Sequence, residues 1–142
     1  MAVLSDQAAG DKRKIEEIRR SEILKVGQFY TIAGLLGREE ADIEDIFEPE
    51  IFAKILNGCY EIFPPNELTA AKLKAAAPNT ERLVKQAEAA FAVMPMNVPE
   101  FNHYAPASWL IRNPRILDAK SVAVIKTLDR AEEIFENYNK IL

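Results

Sequence analysis

A chain of 142 residues holds one domain with a modest core and does not comfortably hold two. Its 49% hydrophobic and 28% charged residues exclude a disordered polymer. A net charge of −4 excludes a general basic footprint, so any affinity for nucleic acid has to be local or carried by a metal ion.

Cys59 is the single cysteine, so no internal disulfide forms, and its apolar helical surroundings suit a buried, inert thiol. Asp6 and Asp11 interrupt the start of the chain, and no apolar run reaches membrane-spanning length. No leader and no membrane span are expected, and the expected location is the cytoplasm.

The first residues, Met1 to Leu4, are apolar and give way to Ser5-Asp6-Gln7-Ala8-Ala9-Gly10. So short a strand has no partner in view, and the chain is expected to begin inside a larger fold. Asp11 then suits a helix N-cap, with Ile15, Ile18 and Ile23 near the helical period and charges around them. After Gly27, the aromatic and β-branched run Gln28-Phe29-Tyr30-Thr31-Ile32-Ala33 predicts a strand ending near Gly34. Strand, Gly turn, helix, strand is the outline of a βαβ unit.

Residues 38–50 concentrate Glu39, Glu40, Asp42, Glu44, Asp45, Glu48 and Glu50 against the lone basic Arg38. Such a density of negative charge repels itself unless a cation or a helix N-terminus lies beside it. Pro49 suits a first helical turn, so acidic capping is one reading. The other depends on backbone shape: an extended segment points Asp42 and Glu44 to the same side, where two carboxylates suit a hard cation such as magnesium. In a helix, Asp42 instead faces with Asp45 and Ile46, and Glu44 looks away.

Helices follow. Ile51, Phe52, Ile55, Leu56 and Cys59 or Tyr60 form a stripe that ends before Pro64-Pro65. Asn66 is the expected cap of a helix using Leu68, Ala71 and Leu73, and Asn79 or Thr80 that of one carrying Leu83, Val84, Ala87, Ala90 and Phe91. Residues 93–99, with two prolines and two methionines, read as an irregular loop over the core. A helix is expected to begin near Pro106 and to bury Trp109 and Leu110 before Asn113-Pro114 stops it. The last helix starts at Asp118 or Ser121, and its expected buried stripe is Val122, Ile125, Leu128, Ala131, Phe135 and Tyr138.

Three segments, Ala41-Asp42-Ile43-Glu44-Asp45-Ile46-Phe47, Leu83-Val84-Lys85-Gln86-Ala87-Glu88 and Phe101-Asn102-His103-Tyr104-Ala105-Pro106-Ala107, together resemble the C-terminal region of overcoming-lysogenization-defect (OLD) family ATP-dependent nucleases and related ATPase–Toprim proteins. In that family an ABC-type ATPase precedes a Toprim nuclease domain, and a helical region completes the C-terminus. The resemblance implies a mainly α chain. A truncated Toprim-like α/β segment would fill residues 1–40, and a helical region of about four to five helices residues 41–142.

Carried over residue by residue, the resemblance makes Asp42 and Glu44 metal-binding carboxylates of a two-metal nuclease site using Mg2+ or Mn2+, and Lys85 the group that stabilises charge on the scissile phosphate. Without the family match, Lys85 reads as a solvated helix lysine. The Toprim pattern places two acids one residue apart before a glycine, and the stretch ending at Gly10 offers only Asp6. The family's first catalytic glutamate would lie upstream of Met1. No Gly-x-x-x-x-Gly-Lys-Ser/Thr pattern exists, so P-loop binding of ATP is not expected. The implied partners are an upstream ATPase and Toprim portion, DNA and a second copy, with no membrane; the chain by itself is expected to cut neither DNA nor ATP. His103, the only histidine, reads as hydrogen-bonded at a loop–helix junction. The competing reading is a helical interaction or dimerisation module without catalysis, and a third is a stand-alone relative kept as a regulator.

Overall fold

The computed structural model describes residues 3–20 and 29–140, and it is mainly helical with one small parallel sheet. The chain packs as two compact units, Met1–Ile46 with Leu128–Leu142, and Phe47–Thr127.

In the first unit, β1 (Val3–Ser5) pairs in parallel with β2 (Phe29–Thr31), Leu4 standing opposite Tyr30. Parallel neighbours need a crossover, and α1 (Lys12–Arg20) lies on it. The helix does not start at an Asp11 cap. Asp11 closes a 3₁₀ turn (Ala9–Asp11), and its Oδ2 accepts the Ala8 N–H at 3.2 Å, the returning half of a capping box. Ile15 is buried, whereas Ile18 is not; Ile23, Gly27 and Gln28 lie outside the described residues.

The second strand is shorter than its composition predicts. Thr31 stops it by turning its Oγ1 to the Gly34 N–H at 3.0 Å, which caps α2 (Ile32–Leu36). Ile32 and Ala33, expected in the strand, are therefore buried helical residues. Gly37 ends the helix at φ 65°, a left-handed conformation that glycine adopts without steric cost. Ile32, Ala33, Ala41 and Ile134 form this unit's core, with Leu4, Leu36, Ile46 and Tyr138 around them.

The second unit is built around α3 (Pro49–Tyr60), whose Pro49 occupies the first turn as its fixed φ favours. This helix buries two faces. Phe52 and Leu56 join Leu73, Leu83, Ala87 and Phe91 in one cluster, while Ile51 and Ile55 join Ala123 and Val124 in another. Glu61, left-handed at φ 52°, ends the helix before the two prolines are reached. Asn57 then clamps the chain that follows: its Nδ2 donates to the Leu68 carbonyl and its Oδ1 accepts the Leu68 N–H, both at 2.8 Å.

The clamp seats Leu68 in the core ahead of α4 (Ala70–Ala76), so the helix is capped by Thr69 and not by Asn66. Thr80 stands just ahead of α5 (Leu83–Phe91), its Oγ1 accepting the Arg82 N–H at 3.1 Å and its carbonyl taking the Gln86 amide at 2.8 Å. The loop at 93–99 is irregular, and Met94 and Val98 pack against the core.

The next helix, α6 (Tyr104–Arg112), begins before Pro106, which is buried in its first turn. The Trp109 indole covers Gly58 of α3 so closely that a Cβ there would run into the ring. The last helix, α7 (Val122–Asn139), is capped by Ser121, whose Oγ accepts the Val124 N–H at 3.2 Å.

Its buried face is not the expected one. Ala123, Val124, Thr127 and Ile134 are buried, while Val122, Ile125, Leu128 and Phe135 are exposed. Both sets recur at helical spacing. Thr127 helps fix the choice, because its Oγ1 accepts the Glu48 N–H at 2.9 Å ahead of α3.

Candidate functional site

Asp6 follows β1 directly, at the C-terminal end of the parallel pair, where open α/β sheets place their ligand crevices. It is exposed, and with Leu4, Ser5, Asp11, Ile32 and Ile43 it lines a groove of 560 Å³.

The next residue, Gln7, forms an antiparallel bridge with Ala41. Gln7 N–H donates to the Ala41 carbonyl at 2.9 Å, and Ala41 N–H returns to the Gln7 carbonyl at 3.0 Å. The Gln7 side chain adds a bond from Nε2 to the Glu39 carbonyl at 3.0 Å. Asp6 precedes one residue of this bridge and Asp42 follows the other.

The backbone beyond Asp42 is neither an extended run nor an α-helix. Residues Ile43–Ile46 form a 3₁₀ turn, in which positions three apart eclipse one another. The alternation that would have sent Asp42 and Glu44 to one side does not apply, and Asp42 is grouped with Asp45 instead. Asp45 Oδ2 accepts the Asp42 N–H at 2.8 Å, and the Asp45 N–H donates to the Asp42 carbonyl at 3.0 Å. The Asp45 side chain is fully buried, with the Arg38 guanidinium 4.0 Å from its Oδ1. Arg130 Nη1 bonds the Ile46 carbonyl at 3.3 Å, holding the end of the turn.

Asp45 therefore anchors the loop that carries Asp42, which is itself buried, and Glu44, which is half-buried. The acids do not cap α3 as the capping reading has it: Glu48 is the N-cap without a side-chain hydrogen bond, and Asp45 instead caps the 3₁₀ turn at Asp42. Oxygen-only donors such as Asp6, Asp42 and Glu44 fit a hard divalent cation. Among the described residues, however, no group of three or more His, Cys, Asp or Glu is arranged to hold a metal.

Lys85 belongs to the second unit. It lies on α5, where its Nζ meets Glu88 Oε2 at 2.7 Å, and the other oxygen of Glu88 faces His103 Nε2 at 3.2 Å. Lys85 first, and then His103, hold the Glu88 carboxyl below its ordinary range against the opposing effect of burial. His103 sits at the junction ahead of α6, its ring 5.1 Å from that of Phe101. The neighbouring Asn102 is fixed by Tyr60, whose Oη accepts the Asn102 N–H at 2.7 Å. Burial pushes the Cys59 thiol up, Arg112 opposing it only in part, which suits an unreactive sulfur.

Sequence reading passed over Gln7 and gave no role to Glu88, and it paired Asp45 with Asp42 only for a helical backbone. The spacing of Asp45 three residues after Asp42 carried the signal for that pairing. Nothing local marks the pairing of Gln7 with Ala41 or of Glu88 with His103, since each joins distant segments.

No family model, curated protein or solved structure matches this chain. Among the described residues, no helix is long and apolar enough to cross a membrane.

Proposed function

We propose that this chain is the C-terminal part of an OLD-like, ATP-dependent DNA endonuclease, contributing Asp6, Asp42 and Glu44 to a divalent-cation site that groups beyond this chain complete. The observation that supports it most is the bridge between Gln7 and Ala41. It joins the end of a parallel βαβ unit to the acidic loop, Asp6 preceding one bridged residue and Asp42 following the other.

Asp6, Asp42 and, from the turn that follows, Glu44 would hold Mg2+ or Mn2+; a cation bound there would supply charge to a phosphodiester oxygen and acidify a water. The chain's own part is to fix those acids: β1 ends at Asp6, and Asp45 holds the loop of Asp42. By the resemblance alone, Lys85 would add positive charge to a bound phosphate. With a partial ligand set, the chain by itself does not cut DNA, and its activity depends on the ATPase and Toprim portion upstream.

Calorimetric titration with Mn2+ tests this reading. Weak saturable binding is expected, lowered in Asp6→Asn and in Asp42→Asn; wild-type protein that takes up no ion, or variants that bind equally well, would remove it.

A second reading, a protein-interaction module, is favoured by a wholly apolar groove of 460 Å³ in the first unit, lined by Leu4, Ile43, Ile46, Ile134, Phe135 and Tyr138. Phe135 at its rim is 68% exposed, and exposed apolar surface of this kind marks contact sites. Light scattering that finds a dimer, lost in Phe135→Ser, would support it; a monomer at all concentrations would remove self-association.

A further inference from the structure

The apolar groove of the first unit has an acidic rim. Leu4 from β1, Ile43 and Ile46 from the 3₁₀ turn, and Ile134, Phe135 and Tyr138 from α7 line its 460 Å³. On a helix, positions three and four apart share a side, so Glu132 stands with both Phe135 and Glu136. The two glutamates are exposed, and among the described residues neither carboxylate has a hydrogen bond or an ion pair.

The basic residues of this stretch are placed elsewhere. Arg130 is engaged by the Ile46 carbonyl at 3.3 Å, the last turn of α7 has no lysine or arginine, and Lys140 follows its end. The carbonyls of that last turn add the negative end of the helix dipole.

Charge separates two occupants. A second copy seated by a two-fold axis would set the same patch against itself and bring Glu132 and Glu136 of both copies to one rim, where like charges oppose association. A partner with apolar anchors and flanking cations has the opposite sign. Such a partner also fits in length: from Ala131 to Tyr138 α7 rises about 10 Å, the span of anchors at i, i+4 and i+7 on a second helix.

We propose that this groove docks a basic amphipathic helix of a partner protein, its apolar side chains packing on Phe135 and Tyr138 and its lysines or arginines meeting Glu132 and Glu136. This rests on the second reading given above, that of a protein-interaction module.

The probe is a fluorescein-labelled peptide of about 15 residues built from leucine and lysine, the leucines at helical spacing, and its counterpart carries glutamate in place of lysine. Anisotropy follows each against the 142-residue chain across a salt series, with light scattering for the oligomeric state and circular dichroism for the folding of variants.

The lysine peptide is expected to bind about tenfold more tightly than the glutamate one, the gap narrowing as salt rises. Phe135→Ser is expected to weaken its binding about tenfold. Glu132→Lys combined with Glu136→Lys is expected to reverse the preference, and the same charge change at Glu67 and Glu100 of the second unit to leave it in place. Lysine-peptide binding unchanged in Phe135→Ser, or a preference that both pairs of changes affect alike, overturns the assignment and leaves only attraction to the chain's net charge. Equal binding of both peptides, lost in Phe135→Ser, overturns the basic partner while the interaction-module reading stands, and so does a dimer lost in Phe135→Ser. Neither peptide bound by a chain that is monomeric at all concentrations overturns both.

Discussion

Gln7 and Ala41 exchange both of their backbone hydrogen bonds, at 2.9 and 3.0 Å, and this pair ties the end of β1 to the acidic loop. Asp6 and Asp42 are its immediate neighbours on either side. The bridge turns two acids far apart in sequence into one locality. Gln7→Pro removes one of the two bonds. It is expected to raise amide exchange at residues 39–42 by at least tenfold, while α3 and α5 keep their protection.

Asp45 is buried and serves two partners, the Asp42 N–H and Arg38. Asp45→Ala removes the buried carboxylate that accepts that N–H and lies beside the Arg38 guanidinium. A loss of about 2–4 kcal/mol in urea unfolding is expected, larger than for Glu44→Ala on the same turn.

Gly58 and Trp109 pack closely, since a Cβ on residue 58 would run into the indole. Alanine favours a helix over glycine by about 1 kcal/mol, but here the clash with a rigid ring decides. Gly58→Ala is expected to be destabilising by about 1–3 kcal/mol in thermal unfolding, and Trp109→Leu in the same chain to relieve most of that. Gly58→Ala as stable as wild type would show that the ring moves aside freely.

The Glu88 carboxyl is held below its ordinary value of 4.5, chiefly by Lys85. For an acid depressed in the folded state, the stabilisation is complete above the unfolded pKa and is lost as pH falls through the folded one. The contribution is small because the cluster is partly exposed. Lys85→Met is expected to move the Glu88 titration, followed by carboxyl carbon resonances, upward toward the ordinary value; an unmoved titration would contradict the pairing.

Much of the architecture was readable before any coordinates. The apolar recurrence at Ile51, Phe52, Ile55 and Leu56 predicts α3, and Pro49 marks its start; the five positions from Leu83 to Phe91 likewise predict α5. Where the reading failed, two patterns competed. Along α7, Val122, Ile125, Leu128 and Phe135 repeat as regularly as Ala123, Val124, Thr127 and Ile134, and bulk favours the first set although the second is buried. A stripe records that a helix has an apolar side, not which side the core takes.

At β2 the β-branched run hid a cap, because Thr31 followed by Gly34 serves a helix start as well as a strand. The acids of the candidate site were visible as composition. Their arrangement was not, since it depends on a 3₁₀ turn at residues 43–46 and on a bridge to residue 7.

Paramagnetic Mn2+ titration of isotope-labelled protein tests the cation site most directly. Added at low stoichiometry, the ion is expected to broaden the amide signals of Asp6, Gln7, Ala41 and Asp42 before others of the first unit, and Asp42→Asn is expected to weaken that selectivity. Broadening spread evenly over the acidic surface, or concentrated elsewhere, would contradict a site at Asp6 and Asp42.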